Sequence, residues 1–418
     1  MYVPRTAVRQ RRGPTVALVV ALVTLADIED ARRRIAAVIR ATPVDRSDNL
    51  SRLAGRPVVL KPEHLQRTGS FKIRGAYNHI CRLEGDAAVV AGSAGNHAQG
   101  VALAATLCGL RSVIYMPAGA ALPKVEATRA YGAEVRIGGD TVDDCVLAAK
   151  ADAAETGARF VPPFDDPWVI AGQGTVGLEI AEEVPEAATV VVPVGGGGLI
   201  AGIATAIKTV RPDVTVIGVE AVGAPTLRAA LDLGRPVVLD RVNTMADGTA
   251  LRTCSELTLA HAVAYVDDVV LVGEEHVSAA LLLLLERAKW VVEPSGALAL
   301  AAVLEGRIPG DGPVVVTCTG GNVDPLLLTK LVEHGLSAAG RYLRLRVVID
   351  DRPGGLARLL TTVAETAANV LEVSHHRAGV QIGVAEVEVL ITLETRSPEH
   401  QHDVLNALRA VGYLAHVG

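Results

Sequence analysis

Aromatic side chains are scarce in this chain, with three Phe, seven Tyr and two Trp among 418 residues. The apolar mass is carried instead by Ala, Val and Leu alongside 41 Gly, a composition suited to α/β layers, and the length predicts two or three domains. No basic stripe stands out against a formal net charge of −6, which argues against nucleic acid as a partner. Cysteine is sparse too. Cys81, Cys108, Cys145, Cys254 and Cys318 are odd in number and form no CxxC pair and no Cys/His cluster, so reduced thiols in a cytoplasm are expected and no metal site. A bilayer-spanning run is missing: Val16–Leu25 is too short. Arg5, Arg9, Arg11 and Arg12 ahead of it give that run the look of a secretory signal. No small-x-small cleavage site follows, however, and the run passes straight into Thr24-Leu-Ala-Asp-Ile-Glu-Asp-Ala31, an N-cap with an acidic first helical turn. Residues 1–23 are therefore read as a disordered extension, and the chain as cytoplasmic with no membrane partner.

What is present is alternation. From Thr24 to Asp324, β-branched apolar runs such as Pro57–Lys61, Ala87–Ser93, Ser112–Met116, Thr189–Val194, Val214–Val219 and Pro313–Cys318 are separated by Ala-rich helical stretches. Continuous apolar strands between helices predict parallel sheets covered on both faces, with ligands beyond the carboxyl ends of the strands, where the Gly-rich turns fall. After Gly340 the pattern changes. Arg341–Ile349 alternates as a half-exposed strand does, Asp350–Gly355 is a turn and Leu356–Ala368 an amphipathic helix. Two strand-like stretches, Val370–Arg377 and Val384–Leu393, lead to a helix from Pro398 to Val411 and a last short strand. That order is a ferredoxin-like split βαβ unit, which places a domain boundary near Leu336–Arg341.

Four segments carry chemistry. Lys72 in Ser70-Phe-Lys72-Ile-Arg-Gly-Ala76 follows a strand and turn; it is either a solvated cation or an amine whose burial lowers its pKa and makes it a nucleophile and base. Ser93-Ala-Gly-Asn-His97 lies at a strand-to-helix junction, where it is either an ordinary capping loop or an anion site. Gly195-Gly-Gly-Gly198-Leu199 links a strand to a helix and lets main-chain N–H groups converge on a phosphate. Glu220 lies roughly twenty positions further on, so a nicotinamide-binding Rossmann unit stays open on this motif alone. Thr319-Gly-Gly-Asn322 ends a strand in which Thr317 and Thr319 share a face, and Thr319 could offer a neutral hydroxyl to a ring nitrogen.

In their order and spacing these segments, with Glu293-Pro-Ser-Gly-Ala297, Ala171-Gly-Gln-Gly-Thr175 and Met245-Ala-Asp-Gly248, resemble the motif series of fold-type II pyridoxal-phosphate enzymes of the threonine dehydratase and serine racemase group. The C-terminal segment, with Asp351-Arg-Pro-Gly-Gly-Leu356 and Val373-Ser-His-His-Arg377, resembles an ACT regulatory domain. The resemblance implies an α/β catalytic domain over 24–336 like the tryptophan synthase β chain, built of two parallel-sheet subdomains with the smaller at about 88–165, and an ACT domain over 341–418. It implies that Lys72 binds pyridoxal 5'-phosphate covalently, that Gly195, Gly196, Gly197, Gly198 and Leu199 cradle its phosphate, that Asn96 bonds its 3-oxygen, that Thr319 faces its ring nitrogen and that Phe71 packs beside the ring. Glu293 would sit near the cofactor. Ser93, Ala94, Gly95, Asn96 and His97 would take the substrate carboxylate. Asp351, Gly354, Gly355 and Leu356 would contact an amino-acid effector such as isoleucine or valine at a seam between subunits of a dimer or tetramer.

Two departures from the family pattern matter. Thr319 stands where Ser is common, which keeps the hydroxyl. Ala94 stands where serine racemases have a second Ser as base, and Ala has no proton to exchange. The expected activity is β-elimination of L-threonine to 2-oxobutanoate and ammonia, a step of isoleucine biosynthesis, with L-serine a slower substrate giving pyruvate. A serine racemase or serine dehydratase is the nearest alternative, and an amino-acid-sensing regulatory protein on a dead enzyme is the alternative from another class.

Overall fold

The computed structural model describes residues 20–376 and 385–417. Most of the expected extension, residues 1–19, lies outside the described residues, as do Arg377 and Val384 at the ends of two expected strands.

Thr24 caps α1 (Leu25–Ile35) through a reciprocal box with Asp27, as the acidic first turn predicts. β1 (Asp45–Arg46), α2 (Asp48–Ala54) and β2 (Val58–Lys61) follow, and α3 (Lys72–Ile80) begins at the candidate lysine. Next come β3 (Val89–Gly92), α4 (Asn96–Leu107), β4 (Ser112–Met116), α5 (Leu122–Ala130), β5 (Glu134–Ile137), α6 (Val142–Thr156) and β6 (Arg159–Phe160). The chain continues through α7 (Pro167–Glu183), β7 (Thr189–Pro193), α8 (Gly198–Val210), β8 (Thr215–Ala221), α9 (Thr226–Leu233), α10 (Glu256–Tyr265) and β9 (Asp268–Val272). After α11 (Glu274–Leu283) come α12 (Pro294–Leu304), β10 (Val314–Thr317) and α13 (Pro325–Ala338). The C-terminal elements are β11 (Tyr342–Asp350), α14 (Gly355–Glu365), β12 (Asn369–His376), β13 (Glu386–Glu394), α15 (Pro398–Ala410) and β14 (Ala415–Val417).

These elements divide into two compact units, one reaching to Gly273 and including Val292–Asn322, the other formed by Glu274–Val291 and Val323–Gly418. The first holds two sheets. The larger has the order β1-β2-β10-β7-β8-β9, parallel except for β1. The smaller, β5-β4-β3-β6, is parallel throughout. Val190, Val191, Val192, Val314, Val315 and Val316 are all buried, as strands covered on both faces must be.

Three helices of this unit approach at main-chain distance. A Cβ on Gly172 of α7 would stand 2.6 Å from the Gly75 Cα of α3, and one on Gly202 of α8 would stand 2.5 Å from the Gly174 nitrogen of α7. Beneath that contact lies a buried charge network. The Arg74 guanidinium grips Glu63 at 2.8 Å and Glu179 at 2.6 and 2.9 Å, and Lys61 binds Glu179 at 2.8 Å and Glu183 at 3.0 Å. Burial alone would push the Glu179 carboxyl up, but Arg74 and Lys61 beside it outweigh that and hold it below the usual carboxylate range. Burial likewise disfavours the Arg74 charge, and its two carboxylate partners more than restore it.

The thiol expectation is corrected. Cys81 and Cys108 form a disulfide with Cα atoms 5.7 Å apart. Cys81 caps the end of α3 and Cys108 the end of α4, and these helices pack together, so 27 positions of sequence separation close through a helix crossing that spacing does not reveal. Cys145, Cys254 and Cys318 are free and buried, with burial pushing Cys254 up to about 11 and Cys318 up to about 12. Among the described residues no helix is long and apolar enough to cross a membrane, and no cluster of His, Cys, Asp and Glu could hold a metal ion.

In the second unit the strand order β12-β13-β11-β14 is that of a split βαβ sheet, antiparallel throughout. Leu343, Leu345, Val347 and Ile349 alternate inward from β11 and meet Leu359 and Val363 of α14 and Val404 and Leu408 of α15. Helices α11 and α13 belong to this unit: Gly335 packs against Ser278 and Leu282, and Arg341 pairs with Glu286.

Candidate active site

Three adjacent parallel strands of the larger sheet deliver three of the predicted segments. The chain leaving β2 reaches Phe71 and Lys72, the chain leaving β10 reaches Thr319, and the chain leaving β7 enters Gly195–Leu199. The first two are tied together, because the Phe71 N–H donates to the Thr319 carbonyl at 3.2 Å and Ser70 pairs with Gly320. In the smaller sheet β3 ends at Gly92 and releases Ser93–His97 into the N-terminus of α4. All four segments thus lie at carboxyl ends of parallel strands, as expected of a site in such sheets.

Lys72 is the reactive candidate. Its Nζ donates to the Pro163 carbonyl at 3.0 Å and lies 5.3 Å from the Phe71 ring centroid. Burial pushes its pKa down to about 8, while the Glu293 carboxylate pulls it partly back up. A substantial fraction of neutral, nucleophilic amine near neutral pH follows, which a solvated lysine does not offer.

The glycine segment is built to take an anion. The main-chain N–H groups of Gly195 through Leu199 have no acceptor within the described residues, and they open α8 at its positive end. Gly197 has φ +89°, a left-handed conformation that favours glycine. Side chains are kept out by contact: a Cβ on Gly196 would stand 2.2 Å from the Phe164 ring, and one on Gly195 3.1 Å from Thr249. A buried amine of lowered pKa and a cradle of unpaired N–H groups fit an aldehyde cofactor with a phosphate arm.

Around the entrance of α4 the Ser93 Oγ accepts from the Gly95 N–H at 3.2 Å, which leaves the N–H groups of Ala94, Asn96 and His97 without acceptors among the described residues. The Asn96 side chain donates to Glu293 Oε1 at 2.7 Å and accepts from Asn322 Nδ2 at 2.7 Å. Glu293 is buried, and desolvation together with the charge of Asp247 raises its pKa to about 7. His97 points elsewhere: its Nε2 meets the Val161 carbonyl at 2.9 Å, and burial and the nearby Lys72 charge push it down to about 3. It remains neutral, so only its main chain is available at the α4 entrance. Asn322, which also donates to the Thr68 carbonyl at 2.6 Å, received no role from sequence, although it ends the Thr319–Asn322 motif. A further residue had no motif to mark it: Lys124 of α5 pairs with Asp247 at 2.7 Å.

In the second unit, Gly354 has φ +86° at the start of α14, but the Gly355 N–H already donates to the Arg352 carbonyl at 3.0 Å. The turn therefore offers fewer free donors than its sequence suggests, with Leu356 the first residue beyond that bond.

Comparison with known proteins agrees with this geometry. Residues 35–320 match the family described as pyridoxal-phosphate dependent enzyme. The L-threonine ammonia-lyase of Geobacter sulfurreducens is 46% identical over 394 residues, covering 93% of this chain and 98% of the relative. Among solved structures, a T.th. threonine deaminase is 43% identical with a TM-score of 0.69, covering 72% of this chain and 99% of its own. Maize serine racemase is 34% identical with a TM-score of 0.71, covering 76% of this chain and 99% of its own. With this match spanning both sheets of the first unit and all but the last two residues of the Thr319–Asn322 segment, the chain belongs to the pyridoxal-phosphate-dependent enzyme family.

Proposed function

We propose that this chain is a threonine ammonia-lyase that converts L-threonine to 2-oxobutanoate and ammonia by β-elimination, with L-serine a slower substrate giving pyruvate. The observation that carries the reading is the Lys72 amine, its pKa lowered by desolvation to about 8, together with Ala94 at the second position of the Ser93–His97 loop. Pyridoxal phosphate, when bound, supplies the electron sink that makes the α-carbon acidic. Lys72 would hold that cofactor and supply the base that takes the α-proton on Nζ. Gly195–Leu199 would hold its phosphate, Phe71 would pack beside the ring, Asn96 would serve the 3-oxygen and Thr319 would offer an uncharged hydroxyl to the ring nitrogen. Ser93 and the N–H groups of Ala94, Asn96 and His97 orient the substrate carboxylate. Glu293 holds the Asn96 amide in place. Ala94 gives the opposite face of the α-carbon no base, which favours elimination over racemisation.

The C-terminal unit we assign to an ACT regulatory domain over 341–418, following a catalytic domain over 24–336. Its strand order supports this. So does the 394-residue match to the Geobacter relative, which cannot be accommodated within residues 35–320 and so extends beyond the catalytic family region. Isoleucine or valine at Asp351, Gly354, Gly355 and Leu356, in a dimer or tetramer, would make the enzyme an allosteric step of isoleucine biosynthesis. A cytoplasmic location is part of the same reading.

The deciding experiment is a steady-state assay of 2-oxoacid formation from L-threonine and L-serine in the presence of cofactor, with and without isoleucine. Oxoacid from L-threonine at a higher kcat/KM than from L-serine is expected. Accumulation of D-serine in place of oxoacid would overturn the assignment in favour of a racemase.

A further inference from the structure

Lys124 stands at the substrate loop with no role in the chemistry so far. Its Nζ lies 3.8 Å from the point that a Cβ on Gly95 would occupy, so the ammonium borders the stretch whose N–H groups face the carboxylate position. It donates to Asp247 Oδ2 at 2.7 Å. The pair is lopsided: the Lys124 side chain is 16% exposed and that of Asp247 48% exposed. Lys124 rises from α5 beside the smaller sheet, whereas Asp247 lies in the Met245–Gly248 motif beyond the larger one, against Ser295 and Glu293 through Gly248. Both charges are felt at the buried Glu293, Asp247 raising its pKa and Lys124 lowering it.

We infer that Lys124 is the cation that selects a substrate by its α-carboxylate, and that Asp247 is its counter-ion while the substrate is away. The inference rests on the ammonia-lyase reading for its substrate class. An amino acid brings a carboxylate to the N-terminus of α4, where N–H groups alone give a partial positive charge. Lys72 is committed to the cofactor, which leaves Lys124 as the second full positive charge that the contacts place at this loop. A half-exposed ion pair is worth little in water, so trading Asp247 for a desolvated carboxylate with several other donors is favourable. The exchange explains why a partly exposed Asp and a mostly buried Lys are joined across the entrance of the site. The fold needs no ion pair there, but a carboxylate-binding lysine does need a partner when the site holds no substrate.

Two variants break the same pair and separate this reading from a structural one. Lys124→Met should raise KM for L-threonine about 10- to 100-fold, the value of a charge-assisted bond, with kcat within about threefold. Its kinetics on L-threoninamide, which lacks the charge, should match those of the parent chain. Lys124→Arg should keep KM within about threefold, which guards against a misfolded Met variant. Asp247→Asn should leave KM unchanged or lower it by up to about fivefold, because a competitor for the ammonium is gone. Equal rises in KM for Lys124→Met and Asp247→Asn would overturn the inference, since a mere strut loses the same thing either way. Calorimetric binding of 3-hydroxybutanoate, which has the carboxylate but no amine to react, supplies a readout without turnover. The parent chain should bind it and Lys124→Met should bind it at least about tenfold more weakly; equal binding would sink the role of Lys124. If instead the parent chain makes no oxoacid from L-threonine, it is the ammonia-lyase reading that fails, and the binding comparison still decides the inference.

Discussion

The Asn96 amide donates to Glu293 Oε1 at 2.7 Å, and this bond joins the helix that begins at the substrate loop to the residue that caps α12. It fixes which way the amide of Asn96 faces. The bond also depends on protonation, because Glu293 has its pKa raised to about 7. Above that pH the carboxylate is a full acceptor; below it, one oxygen carries a proton. Glu293→Gln presents a single carbonyl and competing N–H groups, so Asn96 loses orientation. Cofactor affinity, measured by equilibrium dialysis, should fall about tenfold, the cost of one such bond. Unchanged affinity would separate Asn96 from cofactor binding.

Lys72→Ala should lower turnover of L-threonine by more than about 1,000-fold, because one amine serves as both attachment point and base. The melting temperature of the cofactor-free variant should not fall, since burying an amine without a carboxylate partner does not stabilise the fold. In the cofactor-free parent chain, competitive acylation of Lys72 followed by mass spectrometry should show a midpoint near pH 8. A midpoint near that of ordinary lysines would mean the amine is hydrated.

Ala94→Ser should introduce L-to-D conversion of serine, raising it about 10- to 100-fold over the parent chain as a second base becomes available. Chiral chromatography of the remaining serine measures this. Rapid racemisation by the parent chain itself would reveal a base not identified among the residues of the α4 entrance.

Arg74→Ala should cost about 3–5 kcal/mol in chemical denaturation, because it strands the buried Glu63 without a cation and leaves Glu179 with Lys61 alone. Arg74→Lys should recover only part of that loss, as an ammonium lacks the planar fork that gives each of the two carboxylates a pair of N–H donors.

Truncation after Ser337 removes the split βαβ sheet. The shortened chain should retain activity on L-threonine and lose any response to isoleucine or valine. A response equal to that of the full chain would place the effector elsewhere.

The buried strands were legible because β2, β3, β4, β7, β8 and β10 are continuous apolar runs that stop at glycine or polar turns. β5 was not: Glu134 and Arg136 are exposed on an edge strand, where the run of buried residues that signals a strand does not arise. The disulfide was hidden for a different reason, since two helix ends meet only after the helices cross. The positions of the candidate site residues were legible too: Lys72, Asn96, Gly195–Gly198 and Thr319 all follow carboxyl ends of parallel strands, where such motifs are expected. His97 shows the limit of a motif, which gives position but not the direction of a side chain. Lys124 and the Arg74 network show another, because each depends on partners more than 100 positions away in sequence.

The helix stack of α3, α7 and α8 has a consequence for how this enzyme can change. Lys72 opens the first of these helices and Gly198 the last, and their spacing is set where main chains touch, at Gly75 with Gly172 and at Gly174 with Gly202. The spacing between the helix start at Lys72 and the one at Gly198 is therefore a backbone dimension. Core side chains away from these contacts can change in size and shape and leave that spacing unaltered. One methyl group at Gly172 would change it, so tolerance to mutation is also low at residues that never meet the substrate.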